Sequence, residues 1–245
     1  MAQEQKLLAV LIDADNIPAK YAKQILDEVK EHGVPALRRV YGDWSSGALA
    51  DWKREVAEHG MVLKQETANT KNKNASDIGL VIDAMDILHT GRFNGFVLVS
   101  SDSDFTALAS RVREDGVEVF GIGERKTPHS LINVCDRFIF IENIVAASEE
   151  ETSGAEPKSR KEGSVQDKPR QPPSKAVPLV LKAMKSIDPE QEWYFLGQLG
   201  QYIIRAKPDF DQREYGNAKL SDLLEKTGQF ELRRGGKDVE VRRKT

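Results

Sequence analysis

The sequence predicts an α/β protein with a central, mostly parallel sheet, followed by a small helical domain that ends in a hairpin. Three observations carry this. Short apolar runs alternate with helical stripes over residues 1–147, a polar segment without apolar anchors interrupts them, and amphipathic helices with a Gly-Gly turn follow.

Leu7–Ile12 (LLAVLI) is a continuous apolar run, as expected of a strand buried on both faces. Pro18–Lys30 carries Tyr21, Ile25, Leu26 and Val29 at helical spacing. Ala36–Tyr41 and Met61–Lys64 read as short strands, with a helix over Ala48–His59 between them. Ala75–Leu88 is a strong helix whose start is signalled at Asn74–Ser76. Gly95–Val99 (GFVLV) is a second buried strand, and Phe105–Glu114 a helix. Val117–Gly121, a short helix at Ser130–Val134 and a strand at Phe138–Ile141 complete the series. Such alternation implies right-handed crossovers and ligands beyond the carboxyl ends of the strands.

Residues 148–175 hold no aromatic residue and one large aliphatic, Val165, too little apolar surface to offset ordering, so a disordered linker is expected. Residues 176–245 then form the second domain. Pro178–Ile187, Phe195–Ala206 and Lys219–Lys226 read as helices. Phe230–Arg234 and Val239–Arg243 flank Gly235-Gly236, a hairpin signature, so this domain reads as a small winged helix–turn–helix.

Composition narrows the function. Hydrophobic residues make up 39% and charged residues 31% of the 245-residue chain, as in an ordinary soluble protein. No apolar run approaches the roughly 20 residues that span a bilayer, and the start lacks a basic n-region, so neither membrane insertion nor a signal peptide is expected. The single cysteine, Cys135, excludes an internal disulfide and a Cys/His zinc cluster, which suits the cytoplasm. The net charge of −3 conceals an asymmetry: residues 1–148 hold 17 basic and 22 acidic side chains, and residues 175–245 hold 14 and 11. The second domain is therefore the better polyanion surface.

Two acidic groups stand directly after the two most apolar strands: Asp13-Ala14-Asp15-Asn16 after LLAVLI, and Ser100-Ser101-Asp102-Ser103-Asp104 after GFVLV. If those strands are neighbours, their acids converge. Asp77, in the first turn of the Ala75–Leu88 helix, is placed to join them. Carboxylates gathered within about 4–6 Å repel one another unless a cation intervenes. Mg²⁺ or Mn²⁺, with hard oxygen ligands, resolves that conflict and can activate water against a phosphodiester. The plainer reading gives single acids to turns and helix caps, with Asp104 a candidate N-cap and Asp77 a charge at a helix start. Capping does not require two acid-bearing exits from adjacent buried strands.

LLAVLIDADNIP, SDIGLVIDAMDIL and GFVLVSSDSDFTALASRVREDGVEVFGIG together resemble the NYN domains, relatives of the PIN-domain nucleases, over about residues 6–142. The resemblance implies a Rossmann-like PIN/NYN fold and a Mg²⁺- or Mn²⁺-dependent ribonuclease. It places the first motif's acid on Asp13 and its companion amide on Asn16, the helix acid on Asp77, and the last acids on Asp102 and Asp104. Asp13, Asp77, Asp102 and Asp104 are then the metal ligands, with Asp15 secondary. Asp83 fits the pattern too, but six residues on from Asp77 it stands about 600° round the helix, roughly 120° off its face. It is expected to act through water or a basic partner.

Lys71 and Lys73, just ahead of Asp77, are candidate phosphate contacts, or solvated loop lysines. Tyr41 and Trp44 are candidates to stack on bases, with packing the expected role of Trp44. Ser100 and Ser101 orient a ligand or form the turn. The stretch from Leu179 to Lys244 resembles the OST-HTH/LOTUS domains, which bind RNA or dock protein partners. Lys219 at the third helix and Arg233, Arg234, Lys237, Arg242 and Arg243 on the hairpin are its candidate RNA contacts. Trp193, Tyr194 and Phe195 read as core. Two other functions compete: an RNA-binding adaptor with weak or no catalysis, and a phosphatase of the haloacid-dehalogenase type, whose nucleophile-plus-acid pair Asp13-Ala14-Asp15 mimics.

Overall fold

The structure is a computed structural model that describes residues 5–45, 47–65, 75–152, 171–235 and 238–244. The chain divides into two units at Val145 and Ala146.

The first unit is a six-stranded sheet. Its strands are β1 (Leu7–Asp13), β2 (Val34–Gly42), β3 (Val62–Gln65), β4 (Gly95–Val99), β5 (Glu118–Gly123) and β6 (Arg137–Phe140), in the order β3-β2-β1-β4-β5-β6. Every described pairing in it is parallel. The helices are α1 (Ala22–Lys30), α2 (Ala50–Glu58), α3 (Ala75–His89), α4 (Thr106–Glu114), α5 (His129–Val134) and α6 (Ile141–Thr152).

The apolar run of β1 works as its composition demands. Leu8, Val10 and Ile12 pack on one face with Ile25 of α1 and Trp52 and Val56 of α2. Ala9 and Leu11 pack on the other with Leu80 and Ala84 of α3 and Leu108 of α4. Each fully buried aliphatic of this kind contributes roughly 1.5–3 kcal/mol. The chain winds outward from β1 to β3, then returns to β4 on the other side of β1 and winds outward to β6. The connections reverse between β1 and β4, which opens a crevice at their carboxyl ends.

Most elements match the sequence pattern within a few residues. Two differ at the end of the unit. Phe138–Ile141 was expected as a strand, but β6 stops at Phe140 and α6 begins at Ile141, running to Thr152. The helix thus enters the segment whose composition suggests a linker. Residues 153–170 lie outside the described residues. At Gln171 the chain is tied to the body of the second unit: its N–H donates to the Glu214 carbonyl at 2.9 Å, and Pro173–Ala176 form a 3₁₀ turn with Ala176 buried. An average over residues 148–175 conceals these structured ends.

The second unit packs α7 (Val177–Ile187), α8 (Leu196–Ala206) and α9 (Leu220–Thr227) against an antiparallel sheet of order β7-β9-β8. Its strands are β7 (Tyr194–Phe195), β8 (Phe230–Gly235) and β9 (Asp238–Arg243). Val180, Met184, Leu199, Ile203, Leu223, Leu224 and Val241 form the core. Gly228 ends α9 at φ +70°, a left-handed conformation that favours glycine, and so turns the chain into β8. The sequence did not reveal β7, because two residues carry no period. No helix among the described residues is long and apolar enough to cross a membrane.

Candidate active site

Strand alternation decides where the acids point. In β1, Ala9 and Leu11 face α3, so Asp13, two residues further on, faces it too. Phe96 and Leu98 of β4 share that face, which places Ser100 beside Asp13. The Ser100 hydroxyl donates to Asp13 Oδ2 at 2.7 Å and accepts from the Asp102 N–H at 3.0 Å. Asn16 donates to Asp13 through its side-chain amide at 2.7 Å and its backbone N–H at 3.3 Å. Asp13 is only 1% exposed. Burial pushes its carboxyl above the usual carboxylate range, against the pull of the Ser100 and Asn16 hydrogen bonds.

Asp77, in the first turn of α3, completes the group. Its carboxyl is pushed up to about 6 by burial and by the charges of Asp13, Asp102, Asp15 and Asp104. Five acids from three elements therefore act on one place. Asp15 is held from α3 by the Ser76 hydroxyl at 2.8 Å. The plainer reading of Asp104 as a helix N-cap does not hold. A 3₁₀ turn at Ser103–Phe105 precedes α4, so the cap falls on Asp102, whose Oδ1 accepts from the Asp104 N–H at 2.9 Å. Asp104 is exposed.

Among the described residues, no three His, Cys, Asp or Glu side chains are already grouped as metal ligands. The donors are all oxygen, anionic and in mutual repulsion, which is the chemistry a hard divalent ion relieves.

The neighbouring loop after β5 is tied to this edge. The Glu124 N–H donates to Ser101 Oγ at 2.8 Å. Gly123 permits that approach: a Cβ there would stand 2.6 Å from the Ser100 carbonyl and 2.8 Å from Thr127 Oγ1.

Asp83 takes the basic partner expected of it. Arg39 and the Tyr41 hydroxyl each donate to it at 2.5 Å, and Lys64 stands 3.6 Å away. Burial alone would raise its carboxyl, but the Tyr41 and Arg39 bonds, with the Arg39 and Lys64 charges, hold it below the usual range. Tyr41 and Trp44 are buried and so do not present open stacking faces; the Trp44 indole donates to the Lys64 carbonyl at 2.7 Å. Lys71 and Lys73 lie outside the described residues. Lys64 escaped the sequence reading; the only signal was its place in a strand ending level with Tyr41.

In the second unit, Lys219 is exposed just before α9. On the hairpin, Arg233 pairs with Glu240, Arg242 pairs with Glu231 and Glu192, and Arg234 stands 3.9 Å from Glu225. Arg243 is exposed, and Lys237 lies outside the described residues. Trp193 was expected in the core, yet Arg233 and Arg242 stand 4.2 and 4.6 Å from its ring. Of its neighbours, Tyr194 is buried but Phe195 is 48% exposed, because alternation in β7 turns them to opposite faces.

Residues 7–142 match the NYN domain and residues 167–241 the OST-HTH/LOTUS domain. No curated protein matches the chain. Among solved structures, a protein of unknown function from Vibrio parahaemolyticus is similar at 19% identity and a TM-score of 0.50, over 59% of this chain and 98% of its own. That likeness concerns the fold. An uncharacterized protein from Nitrosomonas europaea is 30% identical over 37% of this chain and 93% of its own, with a TM-score of 0.26. NYN domains are PIN-like nucleases that generally use divalent metals, and OST-HTH/LOTUS domains bind RNA. With its matching motifs, a parallel sheet and acids gathered at the β1–β4 crevice, the chain belongs to the NYN domain family and carries an OST-HTH/LOTUS domain after it.

Proposed function

We propose that the first unit is a Mg²⁺- or Mn²⁺-dependent ribonuclease of the cytoplasm and that the second unit brings RNA to it. One observation carries the reading: across the neighbouring strands β1 and β4, Ser100 bonds both the Asp13 carboxylate and the Asp102 N–H, so the two acid-bearing strand exits meet at one end of the sheet. Asp13, Asp77, Asp102 and Asp104 would hold the cation. When bound, the ion supplies an activated water and stabilises the departing oxygen of a phosphodiester.

The chain's own residues do the rest. Ser100 and Asn16 fix the Asp13 carboxylate, so its orientation is set before substrate arrives. Ser76 steadies Asp15. Asp102 caps the turn before α4 and leaves Asp104 exposed beside the cluster, where it can orient the attacking water. Lys219 and the hairpin arginines are the proposed contacts to RNA in the second unit.

The test is cleavage of a 5′-fluorescein-labelled single-stranded RNA by the full chain with Mn²⁺, beside Asp13→Asn. Cleavage by the parent and its loss in the variant are expected. RNA binding without metal-stimulated cleavage would overturn the nuclease reading and leave an adaptor.

A further inference from the structure

A cleft beside the acids has no part in the chemistry above. It is lined by Tyr41, Lys64, Ile78, Ile82, Asp83 and Asp86, together with Gly79. Strand register ties it to the acids. Asp13 pairs with Tyr41 across β1 and β2, and Tyr41 pairs with Lys64 across β2 and β3. The three residues form one row on the face covered by α3, so Lys64 lies two strand spacings, roughly 9–10 Å, from Asp13.

The walls are unusual for a surface. Ile78 is 60% and Ile82 58% exposed, one helical turn apart and directly after Asp77 on α3. Val62 of the edge strand β3 is exposed as well and has the same alternation as Lys64. Among the described residues the core on this side ends at Tyr41, and the exposed isoleucines extend beyond it as an apolar wall. The charges here also differ from those of the acid cluster. Among the described residues Arg39 and Lys64 balance Asp83 and Asp86, so these four side chains set no net negative charge against an anionic chain.

From this combination we infer that the cleft seats the nucleobase of a nucleotide flanking the scissile phosphate, an inference that rests on the nuclease reading. An apolar wall takes the face of a planar base, which every base possesses. Asp83 is occupied by Arg39 and Tyr41, whereas Asp86 is exposed at the rim. An ionised carboxylate only accepts hydrogen bonds, so Asp86 takes an N–H from the edge of the base, which the amino groups of adenine, cytosine and guanine and the N3–H of uracil all supply. Lys64, on the edge-strand wall of the cleft, serves the sugar–phosphate link.

The experiment compares the full chain with an Ile78→Ala/Ile82→Ala double variant, in two readouts. In EDTA, fluorescence anisotropy with a fluorescein-labelled single-stranded RNA decamer of mixed sequence gives Kd. With Mn²⁺, cleavage of the same decamer gives KM and kcat. Alanine keeps α3 helical and both isoleucines are exposed, so the fold is expected to survive, with a thermal melt as the check. The variant is expected to raise Kd and KM about fivefold with kcat nearly unchanged. On a decamer with an abasic nucleotide beside the cut, parent and variant should converge. Unchanged Kd and KM in a folded double variant would overturn the inference while the nuclease reading stands. Absence of cleavage by the parent would instead overturn the nuclease reading, and this one with it.

Discussion

The Ser100 hydroxyl donates to Asp13 Oδ2 at 2.7 Å while accepting from the Asp102 N–H, so one serine joins the two acid-bearing strand exits. Without it, a buried carboxylate loses one of its hydrogen bonds and the β4 exit loses its anchor.

Ser100→Ala is therefore expected to cost about 1.5–3 kcal/mol, the range for hydrogen bonds to charged groups. It should also weaken Mn²⁺ binding about ten- to a hundredfold, as loss of an orienting partner does. Urea denaturation and a Mn²⁺ titration followed by thermal shift measure the two effects. A variant with the parent's Mn²⁺ affinity would deny Ser100 a positioning role.

The Asp77 carboxyl makes stability depend on pH. It stands at about 6 in the fold against an ordinary 3.8. Between those values the folded chain retains a proton that the unfolded chain has released. The resulting stabilisation is full below pH 3.8 and is lost as pH rises through 6. At pH 7.5 without divalent metal, the ionised group is a net burden. Asp77→Asn should then be more stable than the parent at pH 7.5, with the advantage shrinking towards pH 4, as followed by urea denaturation in EDTA. Equal stability at both pH values would show that the acids do not act on one another.

Asp83 has the opposite sign. Its carboxyl lies below the usual range, so its contribution is present above the unfolded value and is lost as pH falls through the folded one. Tyr41→Phe keeps the buried ring and removes one donor to Asp83, and should cost about 1.5–3 kcal/mol at pH 7. The loss should fade in strong acid, where Asp83 is protonated. Denaturation at both pH values checks this.

These relations show what was legible beforehand. Leu7–Ile12 and Gly95–Val99 announced themselves as buried strands because both faces are covered, and the acids after them are local in sequence. The convergence of Asp13, Asp77 and Asp102 depended on β1 and β4 being neighbours, which the pattern allowed but did not require. The roles of Ser76 and Lys64 were hidden because each depends on a partner far away in the chain, Asp15 and Tyr41. Asp104 looked like a cap until a 3₁₀ turn moved that task to Asp102, a shift of two residues that helix periodicity does not resolve. The hairpin arginines were recognisable as charges, but their glutamate partners emerged only from cross-strand register.

Those pairings divide the basic residues of the second unit into two groups. Arg233 and Arg242 are neutralised by Glu240, Glu231 and Glu192 and lie against Trp193, so part of their task is to hold the hairpin. Lys219 is exposed where α9 begins. A phosphate contact releases counterions, and each one lost lowers the slope of log K against log salt by about 0.7 for a single strand. Lys219→Gln should accordingly weaken single-stranded RNA binding and flatten that slope by about this amount, with little change in melting temperature. Arg242→Gln should lower the melting temperature and change the slope less, because a glutamate already neutralises the charge it removes. Anisotropy titrations of the full chain in EDTA over a range of salt, beside thermal melts, separate the two. An equal fall in slope for both variants would mean that the arginines exchange their glutamates for phosphates when RNA binds.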